Sequence, residues 1–296
     1  MLREVVVLQL EQGLEPVSRV GKEATVRVAV GQFAAGVDSG ENTTAAGRLI
    51  EAAARAGAEL VLLPESSLYA TADGSKAIAA IAEDLDGPFV AAVAGLARKH
   101  GIAVVVGTYE KNPDGLPFNT LVALDGHGGM LGCYRKVHLY DAFGYRESEG
   151  ISAGNPGEPL VFSLGGFRFG AFTCYDLRFP ESARTAVDAG ADVLLVPAMW
   201  IRGPGKEDHW NTLLKARAIE NTAYVLAANQ NGPLATGYSV AVDPAGVVVA
   251  NAGDEAGLII TDLSQERLSR VRRQVPVLDN RRYAVVPHAV KRRGAT

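Results

Sequence analysis

Short aliphatic runs alternate with amphipathic segments along most of this chain, and that alternation limits the folds open to it. The predicted strand 58–63 contains the continuous aliphatic run 60–63, as in strands buried on both faces, and a helical pattern over 89–99 leads to a second apolar run at 102–107. Further strands are predicted at 25–33, 119–124, 130–134, 167–173, 193–196, 224–228, 237–242, 247–250 and 258–261. These strands are too many for one parallel sheet flanked by helices, so the sequence predicts an α/β fold with two sheets packed face to face and helices outside.

Helices are predicted between the strands from apolar periodicity and from capping residues. Thr43 or Thr44 is expected to cap a helix whose apolar face includes Leu49, Ile50 and Ala53. Two later helices are predicted at about 180–189 and at 207–221.

The chain of 296 residues, 48% of them hydrophobic, is long enough for a large core. Length alone would allow two domains, but no segment rich in Pro, Gly or Ser separates two cores, so one domain is expected over residues 24–285. Residues 1–23 are expected to form an N-terminal extension that pairs with a sheet edge or a second subunit, or stays loose. Residues 286–296 are expected to form a C-terminal tail.

Charge and cysteine content argue against several classes of protein. The net charge of −4 disfavours nucleic acid as a partner, because phosphate binding needs a basic field. Two cysteines are too few for a disulfide framework and fit a reducing cytoplasm; we interpret Cys133 as a core residue of a strand. The apolar run 5–10 is too short for a signal peptide or a membrane span, so we expect a cytoplasmic protein with no membrane partner.

Cys174 stands where a predicted strand ends and the start of a helix follows, in the run 170–181 (GAFTCYDLRFPE). Peptide dipoles at a helix N-terminus favour the thiolate, and a sharp turn would expose the sulfur to a cleft. Cys174 is therefore a candidate nucleophile. The alternative is a small apolar core residue.

Two charged residues also follow predicted strands. Glu65 comes after the run 58–63 and Pro64, where a carboxylate is costly unless it has a partner or a function. Lys136 follows the strand 130–134, and its alternative is a solvated lysine at a strand end. With Cys174 they supply the groups for acyl transfer: Glu65 as the base, Cys174 as the nucleophile that forms a thioester, and Lys136 as the group that stabilises the oxyanion. This chemistry requires neither a metal nor an organic cofactor.

Other hydrolytic mechanisms lack their sequence motifs. The five histidines show no HxxxH or HxH spacing, which disfavours a metal-dependent hydrolase, and no G-x-S-x-G elbow occurs. The glycines of 165–170 precede a strand instead of linking a strand to a helix, so they do not predict a nucleotide-binding loop.

Three ordered segments resemble the motifs of the nitrilase, or carbon–nitrogen hydrolase, superfamily: 62–65 (LLPE), 134–139 (YRKVHL) and 174–181 (CYDLRFPE). The resemblance runs from about residue 26 to about residue 283. It implies a four-layer αββα sandwich with a Glu–Lys–Cys triad at Glu65, Lys136 and Cys174. It also implies a second catalytic glutamate at Glu147, for which a carboxylate on a surface loop is the alternative. Relatives commonly associate through their C-terminal tails, so a homodimer or a higher homo-oligomer is expected.

The residues after Cys174 are similar to those of the omega-amidase and deaminated-glutathione-amidase branch, whereas plant-type nitrilases usually have tryptophan there and carbamoylases asparagine. The resemblance implies an amidase that hydrolyses a small terminal carboxamide to a carboxylate and ammonia. A nitrilase, an N-carbamoyl amide hydrolase and a non-catalytic binding protein of the same fold are the alternatives.

Further residues are candidates for the substrate pocket. Tyr175, Trp200 and Asn119 are predicted to contact the substrate, with Phe118 on the same wall as Asn119; hydrophobic packing is the alternative for Trp200. Backbone N–H groups near Cys174 and Tyr175 can join Lys136 at the oxyanion. We interpret Asp176 and Arg178 as an ion pair or as a scaffold for the turn. No residue stands out in the sequence as the cation that an acidic amide substrate would need.

Overall fold

The computed structural model describes residues 25–287, which contain two six-stranded mixed sheets packed face to face. The strands within these residues are β1 (Thr25–Gln32), β2 (Leu60–Leu62), β3 (Ala103–Glu110), β4 (Phe118–Leu124), β5 (Met130–Arg135), β6 (Asp141–Ala142), β7 (Tyr145–Arg146), β8 (Leu160–Leu164), β9 (Phe167–Ala171), β10 (Val193–Ala198), β11 (Tyr224–Asn229), β12 (Val240–Val242), β13 (Val248–Asn251) and β14 (Gly257–Ser264). The first sheet has the order β14-β1-β2-β3-β4-β5 and the second β13-β12-β11-β10-β9-β8, while β6 and β7 form a small separate hairpin.

Both sheets have a parallel centre and antiparallel edges. In the first sheet β1, β2 and β3 are parallel, and β4 and β5 follow as antiparallel neighbours. In the second sheet β9, β10 and β11 are parallel, and β8 and β12 flank them in the antiparallel direction. The carboxyl ends of several central strands therefore meet at one edge of each sheet.

Helices cover the outer face of each sheet. The helices of the described chain are α1 (Ser39–Arg55), α2 (Pro88–His100), α3 (Pro180–Asp188), α4 (Lys206–Asn221), α5 (Gln265–Gln274) and α6 (Val277–Asn280). Alternate residues of β2 face opposite ways: Leu60 and Leu62 pack with residues of the second sheet, and Val61 packs in the core beneath α1 and α2. The four-layer αββα sandwich is thereby confirmed.

The helix cap near residue 40 was predicted wrongly. Asp38 caps α1, since its Oδ1 accepts hydrogen bonds from the N–H groups of Gly40 (2.8 Å) and Glu41 (3.0 Å). Thr43 and Thr44 lie inside the helix and donate their hydroxyls to carbonyls one turn earlier. The predicted start was too late because the apolar face of α1 does not extend into its polar first turn.

Other differences lie in the strands and at the C-terminal end. The strand β8 and the helix α5 were not predicted. Cys133, predicted as a core residue, is only partly buried on the edge strand β5 and packs against the core beneath α1 and α2. The predicted extension 1–23 lies outside the described residues, as does the predicted tail from residue 288 onward. Within 25–287 no helix combines the length and the hydropathy that crossing a bilayer requires.

Candidate active site

The candidate catalytic residues follow the carboxyl ends of strands in both sheets. β5 runs in the same direction as β2, so Glu65 and Lys136 leave the first sheet at the same edge. β9 and β10 are parallel and lead to Cys174 and Met199 in the second sheet. Packing of the sheets joins the two edges, because Met199 N–H donates to Glu65 Oε2 at 2.7 Å.

A buried cluster of two carboxylates, an ammonium group and an amide lies where these edges meet. Lys136 Nζ is 2.9 Å from Glu65 Oε1 and 2.9 Å from Glu147 Oε2. Asn119 Nδ2 donates to Glu65 Oε1 at 2.7 Å and to Glu147 Oε1 at 3.1 Å. Because all four side chains are buried, Glu147 is not a carboxylate on a surface loop. Asn119 orients the two carboxylates, and its own Oδ1 has no hydrogen-bond partner among residues 25–287.

Cys174 begins a single 3-10 turn, Cys174–Arg178, directly after β9. Its φ of 47° lies in the left-handed region, which a non-glycine residue adopts only at a cost in backbone energy. Cys174 is 7% exposed and lines the same cavity as Glu65 and Lys136. The nucleophile candidate therefore sits on a strained turn that points it at the carboxylate cluster.

Asp176 holds this turn in place. Its fully buried carboxylate accepts at Oδ2 from Thr173 N–H (3.0 Å) and from the Tyr134 hydroxyl (2.8 Å). Its Oδ1 accepts from His138 N–H at 2.9 Å and lies 2.7 Å from His138 Nδ1. The scaffold interpretation of Asp176 matches this geometry.

The predicted ion pair of Asp176 with Arg178 is absent. The Arg178 guanidinium instead covers the ring of Trp200, 4.7 Å from its centroid. The two side chains separate because the Asp176 carboxylate is fully buried and held by Thr173, Tyr134 and His138, whereas Arg178 lines the cavity.

The electrostatics of the cluster favour a protonated thiol and a charged lysine. Burial raises the pKa of the Cys174 thiol well above its ordinary value, and the Glu65 carboxylate raises it further, whereas Lys136 lowers it. This direction is opposite to the expected effect of a helix dipole, because the turn is short and the thiol is buried. Burial alone would lower the pKa of Lys136, but the carboxylates of Glu147 and Glu65 outweigh it and raise the pKa well above its usual range.

A cavity of about 430 Å³ opens beside Cys174. Seven predicted site residues line it: Glu65, Asn119, Lys136, Glu147, Cys174, Tyr175 and Trp200. Phe118 does not, because its ring packs under the guanidinium of Arg135, 4.7 Å from the centroid. The part of the chain that the structure describes holds no cluster of three or more His, Cys, Asp or Glu side chains suited to a metal ion.

Several lining residues were not predicted from the sequence. Tyr140 precedes the β6–β7 hairpin, and Phe143 and Tyr145 belong to it. Arg178 ends the turn that begins at Cys174, and Lys206 begins α4. The Gly-Pro-Gly segment before Lys206 marks a turn, yet nothing in the local pattern indicates that this turn borders the cavity.

The chain is similar to known proteins over most of its length. The family model described as carbon–nitrogen hydrolase matches residues 27–273. The deaminated glutathione amidase of Escherichia coli O157:H7 is 38% identical over 257 residues, which cover 87% of this chain and 97% of that protein. The crystal structure of the Caenorhabditis elegans NitFhit protein superposes with a TM-score of 0.81 at 33% identity, over 88% of this chain and 66% of that one.

A further solved structure bears on the cysteine. It is the E41L mutant of the amidase from Nesterenkonia sp. AN1, which shows covalent addition of the acetamide moiety of fluoroacetamide at the active-site cysteine. The TM-score is 0.74 at 30% identity, over 87% of this chain and 97% of that one.

Proposed function

Because the chain belongs to the carbon–nitrogen hydrolase family and is an amidase of it, we propose that Glu65, Lys136 and Cys174 are its catalytic residues. One observation carries the assignment: the buried Glu65 carboxylate contacts the Lys136 ammonium at 2.9 Å, and Cys174 lines the same cavity as both, where the Glu65 charge acts on its thiol. This is the arrangement that proton transfer and oxyanion stabilisation require.

The first half of the reaction transfers the acyl group to sulfur. Glu65 takes the thiol proton as Cys174 Sγ attacks the amide carbon, and the carbonyl π electrons move to oxygen. Lys136 Nζ and the backbone N–H groups at the start of the 3-10 turn stabilise the resulting oxyanion. The intermediate collapses to a thioester when protonated Glu65 returns the proton to nitrogen and ammonia leaves.

The second half releases the acid. Glu65, again a carboxylate, takes a proton from water as the water oxygen attacks the thioester carbon. Collapse of the second tetrahedral intermediate expels the Cys174 sulfur, which recovers the proton, and frees the carboxylic acid. A thiol with a raised pKa fits this scheme, because it stays protonated until Glu65 accepts its proton.

Glu147 has a positioning role in this proposal. Its carboxylate is held by Tyr140 N–H at 2.7 Å and by Asn119, and it pairs with Lys136 at 2.9 Å. It keeps the Lys136 ammonium charged and oriented while Glu65 changes its protonation state. Tyr175 and Trp200, on the cavity wall, are proposed to contact the substrate.

The substrate is a small aliphatic molecule with a terminal carboxamide. A cavity of about 430 Å³ is at the small end of ligand sites. The name of the Escherichia coli relative supports an amide as the bond that is cleaved. Ammonia release from short amides, from glutaramate and from nitriles tests the assignment. Hydrolysis of nitriles alone would overturn it in favour of a nitrilase.

The two cysteines provide a matched pair of variants for this assay. Cys174→Ala should abolish turnover, whereas Cys133→Ala should leave most of it, because Cys133 lies on an edge strand and outside the cavity lining. Equal loss in both variants would contradict the assignment of Cys174 as the nucleophile.

We also propose a cytoplasmic homodimer. Both free thiols fit a reducing compartment. In the C-terminal segment the apolar side chains of Val275, Tyr283 and Val286 are 48%, 92% and 74% exposed, which favours burial against a second subunit. A monomer in sedimentation at micromolar concentration would contradict the dimer.

A further inference from the structure

Lys206 is a buried cation on the wall of the cavity that contains Cys174. Lys206 is the first residue of α4 and is 5% exposed. Nζ donates one hydrogen bond, to the Tyr140 hydroxyl at 2.8 Å, and lies 4.0 Å from the ring centroid of Phe143 and 5.8 Å from that of Trp200. Trp200 Nε1 donates to the backbone carbonyl of Lys206 at 2.8 Å, which fixes the base of the side chain.

Stability does not explain a lysine at this position. Lys206 forms no ion pair with any carboxylate of residues 25–287, and an ammonium group has three donors, of which one has a hydrogen-bond acceptor there. The N-terminal end of a helix carries a positive partial charge, so the dipole of α4 repels the side chain. A buried cation with neither a counter-ion nor a favourable dipole is costly.

A second unpaired cation makes the region more positive still. Arg178 lines the same cavity and forms no ion pair with the described residues, and its buried Nε has no hydrogen-bond partner. Burial lowers the pKa of Lys206, and the charge of Arg178 lowers it further. An anion bound in the cavity beside Lys206 would supply the missing counter-charge. It would thereby offset the effects of burial and of Arg178 on the pKa of Lys206.

We propose that Lys206 is a specificity residue that binds the carboxylate of an ω-amido acid while Cys174 attacks the amide at the other end of the molecule. The proposal rests on the amidase function proposed above. Tyr140, Phe143 and Trp200 fix the ammonium group through a hydrogen bond and ring faces, which hold a cation in place and leave donors for the ligand. The substrate carboxylate supplies the charge-assisted acceptor that the protein lacks at this point.

The test compares glutaramate with pentanamide, a neutral amide of the same chain length. We measure kcat and KM for both in the wild type and in Lys206→Met, Lys206→Arg and Lys215→Met; Lys215 is an exposed lysine on the same helix. Loss of one charge-assisted hydrogen bond should lower the ratio of kcat/KM for glutaramate to that for pentanamide by about 10- to 100-fold in Lys206→Met. Lys206→Arg should restore much of the ratio, and Lys215→Met should leave it unchanged. An unchanged ratio in Lys206→Met overturns the proposal, even if both activities fall.

A binding measurement separates this proposal from the amidase function. Calorimetric titration of glutaramate into Cys174→Ala protein, with and without Lys206→Met, requires no turnover. Weaker binding by the same factor in the double variant supports the carboxylate site even if the wild type hydrolyses no amide, whereas equal binding overturns the site and leaves the amidase function standing.

Discussion

Replacing Gly107 with alanine should displace Glu65 and slow amide hydrolysis without altering any of the proposed catalytic side chains. Gly107 lies on β3, where its N–H donates to Pro64 O and its carbonyl accepts from Ser67 N–H, both at 3.1 Å. A Cβ at position 107 would lie 2.6 Å from Glu65 Cα and 2.9 Å from Pro64 O. Both obstacles are backbone atoms, so no rotation of a side chain can relieve the clash.

The size of the effect follows from these distances. Carbon atoms pack at about 3.5 Å, so the segment that carries Glu65 must move by about 0.9 Å. Such overpacking destabilises a protein by about 1–3 kcal/mol. A displacement near 1 Å also disturbs the hydrogen bonds of Glu65 with Asn119 and Lys136, and misplacement of a catalytic group on this scale costs about 100-fold in rate.

The assay measures kcat for amide hydrolysis and the free energy of unfolding in urea. Gly95→Ala is the matched control, because its Cβ would meet no atom within 4 Å and it lies on α2, away from the cavity. This control should keep the wild-type kcat and gain about 0.5–1 kcal/mol of stability from better helix propensity. A Gly107→Ala protein with the wild-type kcat and stability would refute the argument that β3 sets the position of Glu65.

Three further predictions concern the cluster and the turn. In Asp176→Asn an amide NH₂ would face two of the hydrogen-bond donors that now face the carboxylate. The free energy of unfolding, measured in urea, should therefore fall by roughly 3–6 kcal/mol. A fall of less than about 1 kcal/mol would contradict the scaffold role. Because the pKa of Cys174 is raised, its thiolate fraction is small below that pKa and grows as the pH rises through it. The rate of iodoacetamide labelling of Cys133→Ala protein should therefore keep increasing as the pH rises past the ordinary pKa of a thiol. A labelling rate that reaches a plateau at neutral pH would contradict this. Lys136→Met should lower kcat by about 10²–10³, and a smaller loss in single-turnover measurements would argue against its oxyanion role.

The strand ends were predictable because their signals are local. Continuous apolar runs and the residues that stop them placed Glu65, Lys136 and Cys174 just beyond β2, β5 and β9, and the number of such runs indicated two sheets. The prediction of the N-terminal cap of α1 was wrong for a local reason as well, because Asp38 lies in a polar stretch without apolar periodicity. β8 was missed although it pairs with β9 over its full length.

The long-range contacts were not predictable from any local pattern. Sequence alone determined which residue types stand at the ends of the core strands, because burial and backbone direction depend on neighbours a few positions away. The strand order within the first sheet decided that Asn119, on β4, joins Glu65 to Glu147. Only the packing of one sheet on the other decided that Asp176 clamps the Cys174 turn through Tyr134 and His138, and that the first residue of α4 faces the same cavity. These contacts join residues far apart in the chain, and their distances depend on how two complete layers fit together.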